Sequence, residues 1–489
     1  MSPRRFLVLM LSAGLVAGCA VGPNYRSPDV DVSSRFLGKD GITHRSAQNN
    51  AELEAWWAGF EDPLLTRFVD LALGQNLDIA QAAARVTQSR AALRQIGSAL
   101  LPAGTLSAQG AKVYESTETP LGQVLSSVSD FDRNGRYYEV DAGAGWEVDI
   151  FGGLRRGREA ARAEYQASAA GAVATRLAVA AQTADVYVTI RGLQARIAIA
   201  RQQADTRRQL LGTIKLQYEK GIAADLQMRQ AEGSLAQVDA QIPVLKSALD
   251  AAMNALDVLL GAQPGTYRAE LNTAAPIPVA PGLAETGTPA EMIRRRPDLI
   301  VAERRLAGAT ARIGVAISEY YPKFSLGALL GSATAISSGN LFTDGAKQSR
   351  SLLGLRWRLF DFGRVEGEIA AARGRQAEAL AAYRLAVLRA TEEVEDSFSA
   401  LVNRETQLEI LTNGESSLAR ARDSALAAYR GGVVSLIEVL DADGNLLQMR
   451  DATAQAQTEA ARAAIASFRA LGGGWDTRSA DNNFVSSIR

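Results

Sequence analysis

The chain is written twice, and no other feature restricts its fold so strongly. Trp146-Glu147-Val148-Asp149-Ile150-Phe151-Gly152 aligns with Trp357-Arg358-Leu359-Phe360-Asp361-Phe362-Gly363 at an offset of 211 (357 − 146). The offset holds without a gap: Tyr187 falls on Phe398, Tyr218 on Tyr429, Gly221 on Gly432 and Leu260-Gly261 on Leu471-Gly472. Upstream it becomes 220, pairing Asp78 with Asp298 and Pro102 with Pro322, so one copy has a loop longer by nine residues (220 − 211). A period of this length marks a duplicated domain rather than a stack of short repeats. Between the copies, residues 262–289 hold five of the fourteen prolines, as a linker does.

Each copy has the same internal order. A pair of short helices comes first. In one copy it fills residues 63–99, broken around Gly74-Gln75-Asn76; in the other it opens at Pro289, and Pro297 interrupts it, with Asp298 placed to cap the next helix. After Pro102 or Pro322 the apolar period changes from 3.6 to 2. Tyr138, Val140, Ala142, Ala144, Trp146, Val148 and Ile150 alternate with Glu139, Asp141, Gly143, Gly145, Glu147 and Asp149. Leu353, Leu355, Trp357 and Leu359 alternate likewise with Gly354, Arg356 and Arg358, and Phe324, Leu326, Ala328 and Leu330 form a third set. These are strands with one apolar face, of the roughly 9–11 residues a transmembrane strand needs; a half-buried strand in a soluble sheet has the same pattern. Hairpins at 102–150 and 322–361 give four strands, and a barrel needs at least about eight. If these strands meet lipid, several chains must close the barrel together.

A long helical hairpin follows in each copy, over residues 151–261 and 362–472. Ile190, Leu193, Ile197, Ala200 and Ala204 step by three and four, the spacing of a coiled-coil seam, and Leu401, Leu408, Leu411, Leu418 and Tyr429 take matching positions. No proline interrupts residues 152–218, so one helix can run for about 100 Å at about 1.5 Å per residue. The reversals fall at Gly221-Ile222-Ala223-Ala224 and Gly432-Val433-Val434-Ser435. Each is a glycine followed by small or β-branched residues without a bulky charge. That surface suits close approach by a partner's helical tips, and it equally suits a plain chain reversal.

The N-terminus explains the single cysteine. Arg4 and Arg5 precede an apolar run from Phe6 to Val16, and Val16-Ala17-Gly18 leads into Cys19. A charged segment, a short apolar segment and small residues before a cleavage point make an export signal over residues 1–18. The run is about half the roughly 20 residues of a spanning helix. Val16-Ala17-Gly18-Cys19 resembles the lipobox of bacterial lipoproteins, which implies a covalent lipid on Cys19 and a lipidated tether over 19–62. Ala20, rather than aspartate, follows it, and by that resemblance the destination is the outer membrane.

Several function classes are poorly served. Lys plus Arg equals Asp plus Glu at 53 each, so no net charge draws the chain to nucleic acid. His44 is the only histidine, and no nucleophile elbow, phosphate loop, zinc-protease motif or dinucleotide fingerprint is present. Glu392-Glu393 lie among arginines in a helical pattern and read as a solvated helix face, while Arg294-Arg295-Arg296 looks in isolation like a nucleic-acid patch. No enzyme, cofactor or metal site is expected.

The motifs in order resemble a known family, the TolC-like outer-membrane efflux proteins, in the lipoprotein (NodT-like) branch that works with RND pumps. They are Cys19-Ala20-Val21-Gly22-Pro23-Asn24-Tyr25, Trp56-Trp57 with Phe60 and Asp62-Pro63-Leu64, Arg295-Arg296-Pro297-Asp298-Leu299 with Ala302-Glu303, Tyr320-Tyr321-Pro322-Lys323-Phe324-Ser325-Leu326, the Trp357 motif and Leu440-Asp441-Ala442. The resemblance implies an α+β membrane protein: a homotrimer whose four strands per chain close a twelve-stranded β-barrel in outer-membrane lipid. A coiled-coil α-barrel would continue it across the periplasm, belted by the linker and short helices, and the resemblance turns Arg294-Arg295-Arg296 into belt contacts and helix surface. Such a protein is a passive efflux channel, energised by an inner-membrane RND pump through a periplasmic adaptor (a membrane fusion protein). The adaptor would meet the two reversals. A periplasmic gate would be set by Ile437 and Asp441, with Asp443 nearby; Asp441 matches Gln230 in the first copy, and a plain solvated carboxylate is the simpler alternative. Two other readings stay open: a periplasmic coiled-coil scaffold lipoprotein, and a heavy-metal efflux channel. Few soft ligands (six methionines, one histidine, one cysteine) favour organic cargo over metals. The polar tail at 473–489 is expected at the periphery.

Overall fold

The computed structural model describes residues 20–45, 50–283 and 287–475. The export signal, Cys19 and the tail from residue 476 lie outside the described residues. The rest divides into two compact units, each gathered from separate stretches of chain: one takes the N-terminal stretch to Pro28, Thr87–Ala167 and Ala302–Ala382, the other Asp29–Val86, Ser168–Val301 and the chain from Tyr383.

The duplication is visible in the lengths of the elements. Helix α1 (Lys39–Thr43), strand β1 (Asn50–Ala51) and a 3-10 helix (Leu53–Phe60) precede the first copy. That copy runs through α2 (Pro63–Gln75), α3 (Leu77–Ser98), β2 (Ala103–Tyr114), α4 (Pro120–Ser126), β3 (Asn134–Val148), α5 (Gly153–Glu219) and α6 (Asp225–Leu259). After α7 (Arg268–Leu271) and β4 (Gly282–Leu283), the second copy has α8 (Pro289–Arg295), α9 (Pro297–Ser318), β5 (Lys323–Thr334), β6 (Lys347–Arg356), α10 (Arg364–Arg430) and α11 (Leu436–Ala470). Both α3 and α9 have 22 residues, α5 and α10 have 67, and α6 and α11 have 35. Start and end shift together by the same 220 or 211, so identical spacing of breakers sets identical lengths.

The first unit holds a four-stranded antiparallel sheet in the order β2-β3-β5-β6, so the two copies pair through β3 and β5. The register puts Leu106, Ala142, Leu330 and Ser349 on one face, and Ser107, Asp141, Gly331 and Gln348 on the other. The first face is open: Leu106, Leu330 and Leu353 are 78%, 67% and 73% exposed. Strands β2 and β6 each have one edge without a partner among the described residues. The second hairpin is shorter than its alternation suggests. Its ladder ends at Lys323↔Arg356, because Pro322 follows a helix and offers no further strand, so Trp357 and Leu359 lie beyond it. Trp146 and Trp357, equivalent in the two copies, each donate their indole N–H to a carbonyl at the end of a short helix, Leu100 and Tyr320, at 3.0 Å.

The second unit is helical, with a core of seam residues and aromatic rings. Trp56 stacks on Phe468 at 5.5 Å, and Tyr187 donates its hydroxyl to Asp62 at 2.7 Å while Asp62 caps α2 through the Leu64 and Leu65 amides. The linker and tether are more structured than their composition implies. Strands β4 and β1 form a short parallel pair, because the linker prolines leave Gly282 and Leu283 extended beside Asn50 and Ala51. The beginning of the tail is likewise held, with the Gly474 amide donating to the Leu53 carbonyl at 2.7 Å. Asp298 lies within the first turn of α9 rather than ahead of it, because Pro297 itself starts the helix. Its carboxylate accepts from Arg296, which also holds Glu393 and the Ala470 carbonyl and so gives the arginine run a structural use. Among the described residues, no helix is long and apolar enough to cross a membrane.

Candidate functional site

The two helical reversals lie together in the second unit. Gly221 and Gly432 adopt φ of 71° and 72°, the left-handed conformation that closes a helix C-terminus. The Ile222 amide donates to the Gln217 carbonyl at 2.8 Å, and the Val433 amide to that of Ala428 at 2.9 Å. Glu438 and Gln227 accept from the Ser435 and Ala224 amides, so α11 and α6 start immediately. Leu211, Ile214, Ala231 and Leu436 form a buried cluster that joins the reversals, with Ala223, Met228, Tyr429 and Leu440 packed on it. Tyr429 donates its hydroxyl to Gln217 at 3.1 Å across the same junction.

This packing redistributes the roles expected of the reversal residues. Ala223 and Val434 are partly covered, Ala223 by the cluster itself, because the chain turns them back toward the helices. The outward residues are Ile222 and Val433, 72% and 79% exposed. Two apolar side chains held in water by well-bonded turns form the surface a partner can reach.

One turn into α11, Ile437 and Asp441 share an exposed face, four residues and so about 40° apart. Asp443 does not join them. It takes a seam position with Leu436, Val439, Leu446 and Leu447, all buried, since two residues rotate a helix by about 200°. Its carboxylate faces Arg207 of α5, and the Arg207 guanidinium also donates to the Ser234 carbonyl at 3.1 Å and to the Ser234 hydroxyl. Burial pushes the Asp443 carboxyl above the usual carboxylate range, and Arg207, Arg422 and Arg450 pull it back part of the way.

Asp443 is one rung of a ladder that sequence reasoning missed. Along α5, Asp185, Arg196 and Arg207 recur every eleven residues, three helical turns, and meet Arg462, Asp451 and Asp443 of α11. Arg196 and Asp451 bond twice, at 2.7 and 2.9 Å, and Arg462 and Asp185 at 2.7 and 3.1 Å. The spacing was available in the sequence. The partners, 236 (443 − 207) to 277 (462 − 185) residues away, were not.

In the first unit, the residues after Cys19 are sewn to the foot of the sheet. The Val21 amide donates to the Phe151 carbonyl at 3.1 Å, and buried Arg156 donates to the carbonyls of Val21 and Gly22 and to Asn24. Tyr25 donates its hydroxyl to Glu303 at 2.8 Å. Gly22 passes so close to Gly314 that a Cβ on it would lie 2.5 Å from the Gly314 Cα.

A family model described as "Outer membrane efflux protein" matches residues 68–262 and 288–473. The chain is 29% identical over 479 residues to the "Pyoverdine export outer membrane protein OpmQ" of Pseudomonas putida, covering 98% of this chain and 99% of that one. It is 27% identical over 481 residues to "Nodulation protein T" of Rhizobium leguminosarum bv. trifolii, covering 94% and 96%. Among solved structures, the outer-membrane channel OprN superposes with a TM-score of 0.83 at 30% identity, over 94% of this chain and 100% of that one.

Proposed function

The chain belongs to the outer membrane efflux protein family, and we propose how its parts share the work of export. It is the outer-membrane channel of a tripartite efflux system. Three chains with four strands each close a twelve-stranded barrel, and the long helices continue it as an α-barrel into the periplasm. The observation that carries this reading is the sheet itself. Its apolar outer face and its two free edges are both untenable in a lone chain in water, and trimeric closure in lipid removes both.

The reversals are the adaptor-docking surface, with Ile222 and Val433 as its apolar points. Behind the adaptor stands an RND pump, the energy source that the channel lacks. Ile437 and Asp441 form the gate, one apolar and one acidic ring in the trimer. Cys19 carries the lipid, and the residue that follows it, Ala20, passes close to Gly152. Cargo is small organic molecules, the class that the name of the pyoverdine-exporting relative suggests. The test is fractionation and planar-bilayer recording. A heat-resistant trimer in outer membranes that conducts ions supports the channel, whereas a water-soluble, non-conducting chain overturns it in favour of a periplasmic scaffold.

A further inference from the structure

The first copy's longer hairpin carries an α-helix in its loop where the second copy has only two 3-10 turns. Helix α4 sits in the loop between β2 and β3, at the end of the sheet away from the start of α5. Thr119 caps it through the Gly122 amide at 3.1 Å. Gly122 lies so close to the Ser116 carbonyl that a Cβ there would overlap it, so the helix is pinned to the strand end rather than swinging free. Arg133 braces the same loop, stacking over Tyr114 at 4.4 Å and donating to the Glu115 carbonyl.

What the pinned helix presents is apolar. Leu121, Val124 and Leu125 step by three and one on one face of α4, Val128 follows just past its end, and residues 119–129 include no charged side chain. Leu121, Val124 and Val128 are mostly exposed, and so are Ile336 and Phe342 in the loop between β5 and β6. The two loops that carry these apolar side chains flank the two open edges. The α4 loop leaves edge strand β2 at Tyr114, and Phe342 precedes edge strand β6 by five residues (347 − 342). In a closed trimer, β6 of one chain pairs antiparallel with β2 of the next, which brings the α4 loop of one chain to the Phe342 loop of its neighbour.

We propose that the α4 stripe packs against Ile336 and Phe342 of the adjacent chain, an apolar clasp over each of the three strand seams on the cell's outer face. The occupant is a second copy of this chain, because the stripe is continuous with the seam that barrel closure requires and carries no charge for a polar partner. The clasp rests on the trimeric reading, and it assigns the extra loop of the first copy a use: it latches the rim where chain meets chain.

Val124→Cys and Phe342→Cys combined, in a protein that keeps Cys19, test this. Trimers are isolated first, so a failure to obtain them from the unaltered protein would sink the trimeric reading as well as the clasp. Mild oxidation of double-variant trimers should give covalent dimers and trimers on non-reducing denaturing gels, lost on reduction, while neither single variant links. Trimers that stay unlinked overturn the clasp. Dimers from Val124→Cys alone also overturn it, because they would set the three helices against one another at the axis. Protection of a Val124→Cys thiol from maleimide in membranes but not in detergent-purified trimers would assign the stripe to lipid instead. Should the double variant fail to assemble, Leu121→Ser with Val128→Ser decides: the clasp requires trimer dissociation several degrees below the unaltered protein, and an unchanged temperature refutes it.

Discussion

Arg207 and Asp443 face each other across the seam between α5 and α11 at 3.6 Å, both buried, and neither Arg207 Nε nor Asp443 Oδ2 has a hydrogen-bond partner. Charges withdrawn from water regain their solvation energy only through close, well-aligned contacts, and this pair stops short of them. The rung nearest Ile437 and Asp441 is therefore the weakest of the ladder, while Arg196–Asp451 and Arg462–Asp185 are closely bonded.

The first prediction is a pH dependence. Burial raises the Asp443 carboxyl above its unfolded value, so the folded chain holds this proton in a window where the unfolded chain has released it. The stability it contributes is present at low pH and is lost as pH rises through the raised value. Asp443→Asn has no such loss, so its unfolding free energy relative to the unaltered protein should rise across that window and then level off. Each tenfold by which folding tightens proton binding corresponds to a rise of about 1.4 kcal/mol. Denaturant unfolding of both proteins at stepped pH measures it. A difference independent of pH would mean that Asp443 ionises equally easily folded and unfolded.

The second concerns docking. Ile222→Asp and Val433→Asp place charge on the outward points of the reversals without entering the cluster that joins them. Adaptor affinity should fall about tenfold or more, ~1.4 kcal/mol, with trimer yield unchanged. Ala223→Asp should lower trimer yield as well, because Ala223 packs on Leu211 and its neighbours. Normal export from both outward variants would move the adaptor elsewhere.

The third addresses the gate. Ile437→Ala and Asp441→Ala should each raise single-channel conductance, and Asp441→Ala should also weaken block by multivalent cations, since a ring of three carboxylates is their binding site. Asp443→Ala should leave cation block unchanged, because that carboxylate faces the seam. Identical block in the Asp441 variant and the unaltered channel would leave Asp441 a surface charge.

The fourth concerns the tether. Gly22→Ala forces a methyl group into the Gly314 backbone at a φ of 91°, and should cost about 1–3 kcal/mol of local stability, read as faster proteolysis near Tyr25. Lipid labelling should persist in that variant and vanish in Cys19→Ser, while trimers still form in both. An unmodified Cys19 peptide in mass spectra of the mature protein would remove the lipid anchor.

Much of this architecture was legible in the chain itself. The offsets of 211 and 220 gave the paired elements, alternation around Trp146 gave the strands, and the absence of proline gave the 67-residue helices. The strands and helices are local, carried by period and breaker spacing within tens of residues, and the offsets repeat that same local pattern in the second copy. Alternation overran the ladder at Trp357 because a strand ends where its partner ends, and Pro322 is distant in sequence. The linker and tether looked irregular because a parallel pair of two residues leaves no periodic trace.

Hydrophobic period and backbone breakers act through neighbouring residues, and they were enough to specify a duplicated unit of strand hairpin and long helical hairpin. Which side chains face water and which face a partner helix at its ends was settled only by packing between distant segments. Asp443 turns inward to Arg207 and Asp441 outward, and Ile222 rather than Ala223 meets solvent. Arg156 gathers Val21, Gly22 and Asn24 from some 130 positions away. Facing and pairing of that kind depend on where a distant helix lies, and no period within one segment records the position of another.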